Sequence, residues 1–417
     1  MVFKEASSSS HALPIFSSDP SAPLLGCHSG SHLSSQPKTF ANVFIAIVGA
    51  GVLGLPYAFK RTGWAAGTLM LFAVGALTYH CMMLLARTRR RLEGEIGFSK
   101  IASFGDLGLA VAGRAGRLAV DLMIVLSQAS FCIGYLIFIS NTLTHILPQK
   151  PNKLLSIAAL LPFQLALNSI RSLTLLAPLS IFADIVDIAA MVIVLGVDIT
   201  TFAERRPDLI SFGGPSVIFY GLGVAVYAFE GIGMVLPLES EAADKSKFGR
   251  TLGLSMAFIS ALYASFGAFG YAAFGDETSD IITTNLGHGV IPIAVQIGLC
   301  INLFFTLPIM MNPVYEVAER WACGKQFCIW LRWGLVLSVS LVTLLVPNFT
   351  DFLSLVGSSV CCILGFVLPA AFHLKVFGSE MSWIAVVSDA AIIVIGVFFT
   401  VSGTYSTVME ILFSEKV

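Results

Sequence analysis

Apolar residues in this chain gather into long continuous runs, with neither the strict alternation of strands nor the one-sided stripe of surface helices. About 20 predominantly apolar residues suffice to cross the hydrocarbon core of a bilayer as a helix. Eleven such runs can be drawn, at roughly 39–60, 64–87, 117–146, 153–170, 173–203, 214–237, 249–274, 288–319, 328–346, 350–372 and 381–412. Each predicts a transmembrane helix. The fourth is the most interrupted, by Pro162 and Asn168. Two runs are broken by glycine near mid-depth. The first break reads Gly49-Ala50-Gly51-Val52-Leu53-Gly54-Leu55-Pro56, and the second reads Phe229-Glu230-Gly231-Ile232-Gly233-Met234-Val235-Leu236-Pro237. Backbone groups freed by such breaks cannot be left facing lipid. They must face protein or a water-filled cavity, and a pair of interrupted spans in matching places points to the binding site of a transporter.

The breaks fall in spans one and six. That placement predicts two five-helix repeats, and because five is odd the second lies inverted relative to the first. The expected fold class is therefore an all-α membrane protein of eleven transmembrane helices, with a 5+5 inverted repeat and helices one and six broken. Repeat one covers about 39–203, repeat two about 214–372, and an extra helix about 381–412, all within a transmembrane domain at 39–417. Residues 1–38 hold 11 serines and no sustained apolar run, so they read as a disordered cytosolic tail. Within the tail, Asp19-Pro20-Ser21-Ala22-Pro23-Leu24-Leu25 is similar to an acidic dileucine sorting signal, with the acidic residue one place further out than usual.

Composition agrees with a membrane class: 56% of residues are apolar, only 12% are charged and the mean hydropathy is +0.86, against about 25% charged in soluble domains. A net charge of −1 gives no basis for a nucleic-acid partner. The eight cysteines lie mostly inside apolar runs, which predicts free thiols with no disulfide framework. Basic residues set the orientation. With the N-terminus in the cytosol, 17 of the 24 Lys and Arg residues fall on the cytosolic side and seven on the other. The sequon Asn348-Phe349-Thr350 then lies on the non-cytosolic side, close enough to the membrane to be expected unmodified. No P-loop, HExxH or GxSxG pattern is present, so neither an enzyme, a metal site nor a cofactor is expected.

An unwound segment at Ala50–Gly54 would present free amide N–H groups at the start of a half-helix, where a carboxylate is favoured. Unwinding at the second break frees the carbonyls of Tyr227 to Glu230, which can accept from an ammonium, while Phe229 could cover the ligand. Donors for one end and acceptors for the other suit a zwitterionic α-amino acid, and glycine lining favours a small neutral one. Glu230 ranks highest among the intramembrane ionisable residues. It could carry a proton, meet the substrate amine or tie the broken helix together. Asp121, Asp184, Asp187, Asp198 and Asp389 also lie in or near spans. Asp184 and Asp187 share a helix face, and pairing with Arg171 or another basic residue is the favoured reading.

The Gly49–Pro56 run and the Tyr227–Glu239 run resemble the first- and sixth-helix motifs of the amino acid/auxin permease family over about 38–412. The likeness is strongest to plant vacuolar amino acid transporters and to the proton-coupled branch. It implies the leucine-transporter fold, a substrate carboxylate held by Ala50, Gly51 and Val52 beside Gly54, and a substrate amine at the Phe229–Glu230–Gly231 backbone. It further implies secondary active export of small neutral amino acids from a vacuole or lysosome-like compartment into the cytosol by alternating access. The plasma membrane is the alternative location. An auxin-like organic anion carrier and an amino-acid-sensing receptor are the alternative functions. The proton-coupled animal branch has His where this chain has Asn42, and Asn does not titrate in this range, so a proton would need another carrier such as Glu230. Were the ion sodium, Asn42 and Thr306 would be the candidates.

Overall fold

The computed structural model describes residues 33–94, 101–171, 177–287, 289–324, 326–346 and 348–414. The dileucine-like run at 19–25 lies outside them. The described residues are helical almost throughout. In order they form α1 (Gln36–Ile47), a 3-10 turn (Ala50–Gly54), α2 (Leu55–Thr62), α3 (Trp64–Glu93), α4 (Phe104–Ile146), α5 (Lys153–Asn168) and α6 (Ala177–Arg205). The second half begins with α7 (Ile218–Ala228), a 3-10 turn (Ile232–Met234), α8 (Val235–Glu241), α9 (Phe248–Phe274), α10 (Val290–Ala322) and α11 (Ile329–Leu345). It ends with α12 (Phe349–Val356), two π-helical stretches (Gly357–Cys361 and Ile363–Val367), α13 (Leu368–Phe377) and α14 (Trp383–Ser414).

Among the described residues, eight helices are long and apolar enough to cross a membrane, or nine when the α1–α2 pair, bent by 53°, counts as one broken span. The eleven expected spans are thus not all of one kind. The fourth and ninth correspond to α5 and α11, of 16 and 17 residues, about 25 Å of helix at 1.5 Å per residue, short of the ~30 Å core. The third span starts at Phe104, ahead of the expected 117. Ser103 caps it by accepting from the Asp106 N–H at 3.1 Å, and the chain then bends at Ala112 and Gly113, where Gly113 takes a φ of 63°. The polar Arg114 and Arg117 hid this lead-in helix from an apolar-run reading. The boundary of the tail also moves. Residues 33–38 belong to the folded body, because α1 begins at Gln36 with Pro37 in its first turn and Ser34 pairs through its backbone with Glu241 (2.8 Å) and Ala243 (3.0 Å).

The broken helices sit at the centre. α7 packs against α12 and the first π-helical stretch so closely that a Cβ on Gly357 would fall 1.8 Å from the Gly223 carbonyl oxygen. Such approach between small residues substitutes for the hydrophobic drive that lipid does not supply. α6 and α14 lie outside, with Ile185, Val192, Val394, Ile395 and Val401 exposed as a lipid-facing surface requires.

Polar ties close both rims. At the α1 and α8 rim, buried Arg89 donates to the Leu236 carbonyl (2.7 Å) and, with Arg90, to buried Glu239 (2.5 Å each). At the opposite rim Arg61 pairs with Glu410, Lys60 donates to the Thr278 carbonyl (3.2 Å), and the Tyr220 hydroxyl donates to Asp351 (2.9 Å). The seven described cysteines are free thiols.

Candidate functional site

The first break comes apart because Val48 and Gly49 leave the helix. Val48 is extended at φ −77°, ψ 118°, and Gly49 follows at φ −154°, ψ −163°. The Val48 N–H still reaches the Phe44 carbonyl. Among the described residues, no backbone acceptor takes the N–H of Gly49, Ala50 or Gly51. These are the orphan donors of a helix N-terminus. Val52 donates to the Gly49 carbonyl at 3.3 Å and the Gly49 N–H reaches the Tyr263 hydroxyl, so the free donors lie at 50–51, inside the expected 50–54. Pro56, in the first turn of α2, lacks an N–H in any case.

The second break leaves α7 after Ala228. Glu230 N–H returns to the Tyr227 carbonyl at 3.2 Å, and Met234 N–H to Gly231 at 3.0 Å. The Phe229 and Glu230 carbonyls accept no backbone N–H from outside their own helical elements among the described residues, whereas those of Tyr227 and Ala228 are occupied.

The two breaks meet face to face. A Cβ on Gly51 would lie 3.1 Å from the Tyr227 ring and 3.2 Å from Ala228 Cα, at the end of α7. A Cβ on Gly231 would lie 2.8 Å from Ile47 Cγ1 and 3.4 Å from the Ala46 carbonyl oxygen, at the end of α1. Glycine at both places lets the two helix ends touch. A Cβ on Gly49 or Gly233 would meet nothing within 4 Å, so open space adjoins each break. Burial is asymmetric around that space. Residues 50–56 and 223–229 are buried, while Ala46, Val48, Gly49, Glu230, Gly231 and Gly233 are half-buried. The site is sealed toward α2 and α7 and less tightly packed toward α1 and α8.

Tyr263, on α9, joins the two breaks. Its hydroxyl lies 3.2 Å from the Ile47 carbonyl oxygen and 3.2 Å from that of Ala228, the last residues of α1 and α7. Its ring packs on Phe229 with centroids 5.1 Å apart. Sequence reasoning missed Tyr263. The available signal was a hydroxyl inside an apolar span, where a buried phenol needs an acceptor, and helix ends supply orphan carbonyls.

The remaining candidates separate. Ala50, Gly51, Val52 and Gly54 line the first break, and Gly54 packs against Leu353 and Thr350 of α12. Phe229 is 1% exposed and wedged between Tyr263 and Gly75, so here it is core and no free cover. Glu230 points toward the second π-helical stretch, its carboxylate 3.9 Å from where a Gly365 Cβ would lie, and no ion pair among the described residues includes it. Asn42 is half-buried on α1. Thr306 donates to Asn302 (2.9 Å), and Asn302 donates to Asp187 (2.5 Å). Asp187, expected to pair with Arg171 or another basic residue, accepts from the Asn302 amide, and Arg171 lies over the Phe327 ring. The side chain of Asp184 lies outside those described. Asp121 pairs with Arg320 and Asp389 contacts His373 (2.6 Å), so both are engaged away from the breaks.

Comparison with known proteins matches this geometry to a family. Residues 32–409 match the family described as transmembrane amino acid transporter protein. Amino acid transporter AVT3C of Arabidopsis thaliana is 59% identical over 99% of each chain, and AVT3B of the same plant is 61% identical over 93% of this chain and 96% of its own. Vacuolar amino acid transporter 3 of Schizosaccharomyces pombe is 28% identical over 90% of this chain and 58% of its own. Among solved structures, inward-facing Mhp1 aligns with a TM-score of 0.61 at 14% identity, covering 90% of this chain and 89% of its own. MhsT in complex with L-phenylalanine aligns at 0.51 and 16% identity, covering 90% and 96%. These likenesses give the fold, which is that of the leucine-transporter-like carriers with helices one and six broken. The chain belongs to the transmembrane amino acid transporter family, whose members are carriers and not enzymes.

Proposed function

We propose that the protein carries small neutral α-amino acids out of the vacuole into the cytosol by alternating access, with its N-terminus cytosolic. The observation that carries this reading is the meeting of the two breaks. The free N–H groups of Ala50 and Gly51 suit a substrate carboxylate. Across the gap, the Phe229 and Glu230 carbonyls and the Glu230 carboxylate suit its ammonium. Gly51 packs so closely on Tyr227 that a Cβ there would lie 3.1 Å from the ring, which favours short side chains. The basic-residue asymmetry supports the orientation, and the name of the fission-yeast relative supports the vacuole. Of the coupling candidates, Thr306 already donates to Asn302 and Asn42 does not titrate, which leaves Glu230 beside the substrate amine.

Uptake of labelled alanine into proteoliposomes tests the reading. The expected result is saturable uptake, displaced by excess unlabelled small neutral amino acids and unaffected by indole-3-acetate. Glu230→Gln raises KM, because the ammonium loses a charged acceptor. Displacement by indole-3-acetate and not by amino acids would replace the proposal with an organic anion carrier.

A further inference from the structure

Asp198, on α6, is fully buried, and neither of its carboxylate oxygens has a hydrogen-bond partner among the described residues. Its surroundings offer none. Oδ2 lies 3.3 Å from where a Cβ on Gly270 of α9 would sit, and the same point is 2.6 Å from the Pro56 ring of α2. Glycine contributes no side chain and proline no N–H.

Most of the ionisable groups on the elements around Asp198 are engaged elsewhere. On α9, the Tyr271 hydroxyl accepts from the Ile210 N–H (3.1 Å), and Tyr263 sits on the helix-end carbonyls. On α2, Lys60 lies over the Tyr57 ring and donates to Thr278, while Arg61 pairs with Glu410. On α6 itself, Asp187 accepts from Asn302, and Arg205 pairs with Glu277 in the connection that follows α9, at 275–289. In the same stretch Asp280 accepts from the Phe349 and Ile281 N–H groups. On α10, Cys300 faces Thr142, and Glu319 and Arg320 pair with Arg332 and Asp121.

A carboxylate charge enclosed in this way has nothing to replace its hydration, and burying it would be prohibitive. Closure of α2 and α9 onto α6 therefore requires the neutral acid. We propose that Asp198 is a proton-binding site on the luminal half, and that its occupancy licenses closure of that half around the substrate. The proton arrives from the lumen when α2 and α9 stand away from α6, and it returns to the lumen when they part again. It gates the cycle without crossing the membrane. An acidic lumen then speeds the closing step. This inference rests on the proposed function for the orientation and for the cycle it regulates.

The test is alanine exchange across proteoliposomes with equal substrate on both sides, so that no gradient drives net flux. Only the pH on the luminal side is varied, from about 7.5 to about 5.5. Wild-type exchange is expected to rise at least about threefold on acidification. Asp198→Asn, a permanently neutral side chain of the same shape, is expected to exchange at the acid wild-type rate at both values. Asp198→Glu is expected to keep a pH response. An Asp198→Asn variant that retains the luminal pH response overturns the proposal. Wild-type exchange indifferent to luminal pH also overturns it, whether or not the variant folds, and leaves the transport reading standing. Absence of any wild-type exchange removes both.

Discussion

Replacing Tyr263 with Phe isolates the tie between the two breaks. The ring that packs on Phe229 is kept, and only the hydroxyl 3.2 Å from the Ile47 and Ala228 carbonyl oxygens is lost. One hydroxyl proton serves one carbonyl at a time, and 3.2 Å is long against the usual ~2.7–2.8 Å of an O–H···O bond. The loss therefore belongs at the low end of a net hydrogen bond, about 0.5–1 kcal/mol. That is a shift of about two- to fivefold in the balance between the arrangement with the ends joined and those with the ends apart. Initial rates of alanine uptake against concentration, with thermal melting of the purified protein alongside, read both consequences. Tyr263→Phe should change KM by about that factor with a small drop in melting temperature. Tyr263→Leu, which also loses the aromatic contact, should fare worse on both. A Phe variant identical to wild type in KM and melting would refute the tie. A loss beyond about a hundredfold in a folded Phe variant would refute the arithmetic, since it exceeds what one weak hydrogen bond supplies.

Other perturbations have equally definite outcomes. Gly49→Ala places a methyl in open space on extended backbone, so melting should move by no more than about 0.5 kcal/mol equivalent while KM for alanine rises. Gly357→Ala drives a Cβ to 1.8 Å from the Gly223 carbonyl oxygen and should abolish monodisperse protein on size exclusion. Glu239→Ala leaves Arg89, 1% exposed, with only the Glu93 carboxylate at 3.9 Å. It should cost about 3–5 kcal/mol, read as lost thermal stability, and adding Arg89→Leu should recover part of the loss. The sequon should carry no glycan, because Asn348 donates to Asp351 (2.8 Å) and buried Thr350 donates to the Asp280 carbonyl (2.7 Å). An endoglycosidase shift that vanishes in Asn348→Gln would contradict this.

The helix breaks were legible because glycine is rarely concentrated in the middle of an apolar run, and no tertiary partner is needed to read it. What the breaks touch was not legible. Tyr263 binds carbonyls 216 and 35 positions away, and a tyrosine in an apolar span looks like core. The five intramembrane aspartates looked alike in sequence. Partners distant in the chain distinguish four of them, with Arg320 for Asp121, Asn302 for Asp187, His373 for Asp389, and none among the described residues for Asp198. The early start of α4 escaped because Arg114 and Arg117 interrupt hydropathy at a kink, where a capped interfacial helix tolerates them. The ends of α5 and α11 were legible to within two residues, at 153–170 and 328–346 against Lys153–Asn168 and Ile329–Leu345.

Ser34 stands two residues ahead of α1, yet its backbone is stitched to Glu241 and Ala243 where α8 ends. The entry to one half-helix and the exit of the other are thereby a single mechanical knot. Any protein, lipid or affinity tag that tugs on the chain ahead of Leu33 will be felt at both hinges together, so N-terminal fusions should alter turnover more than fusions after α14.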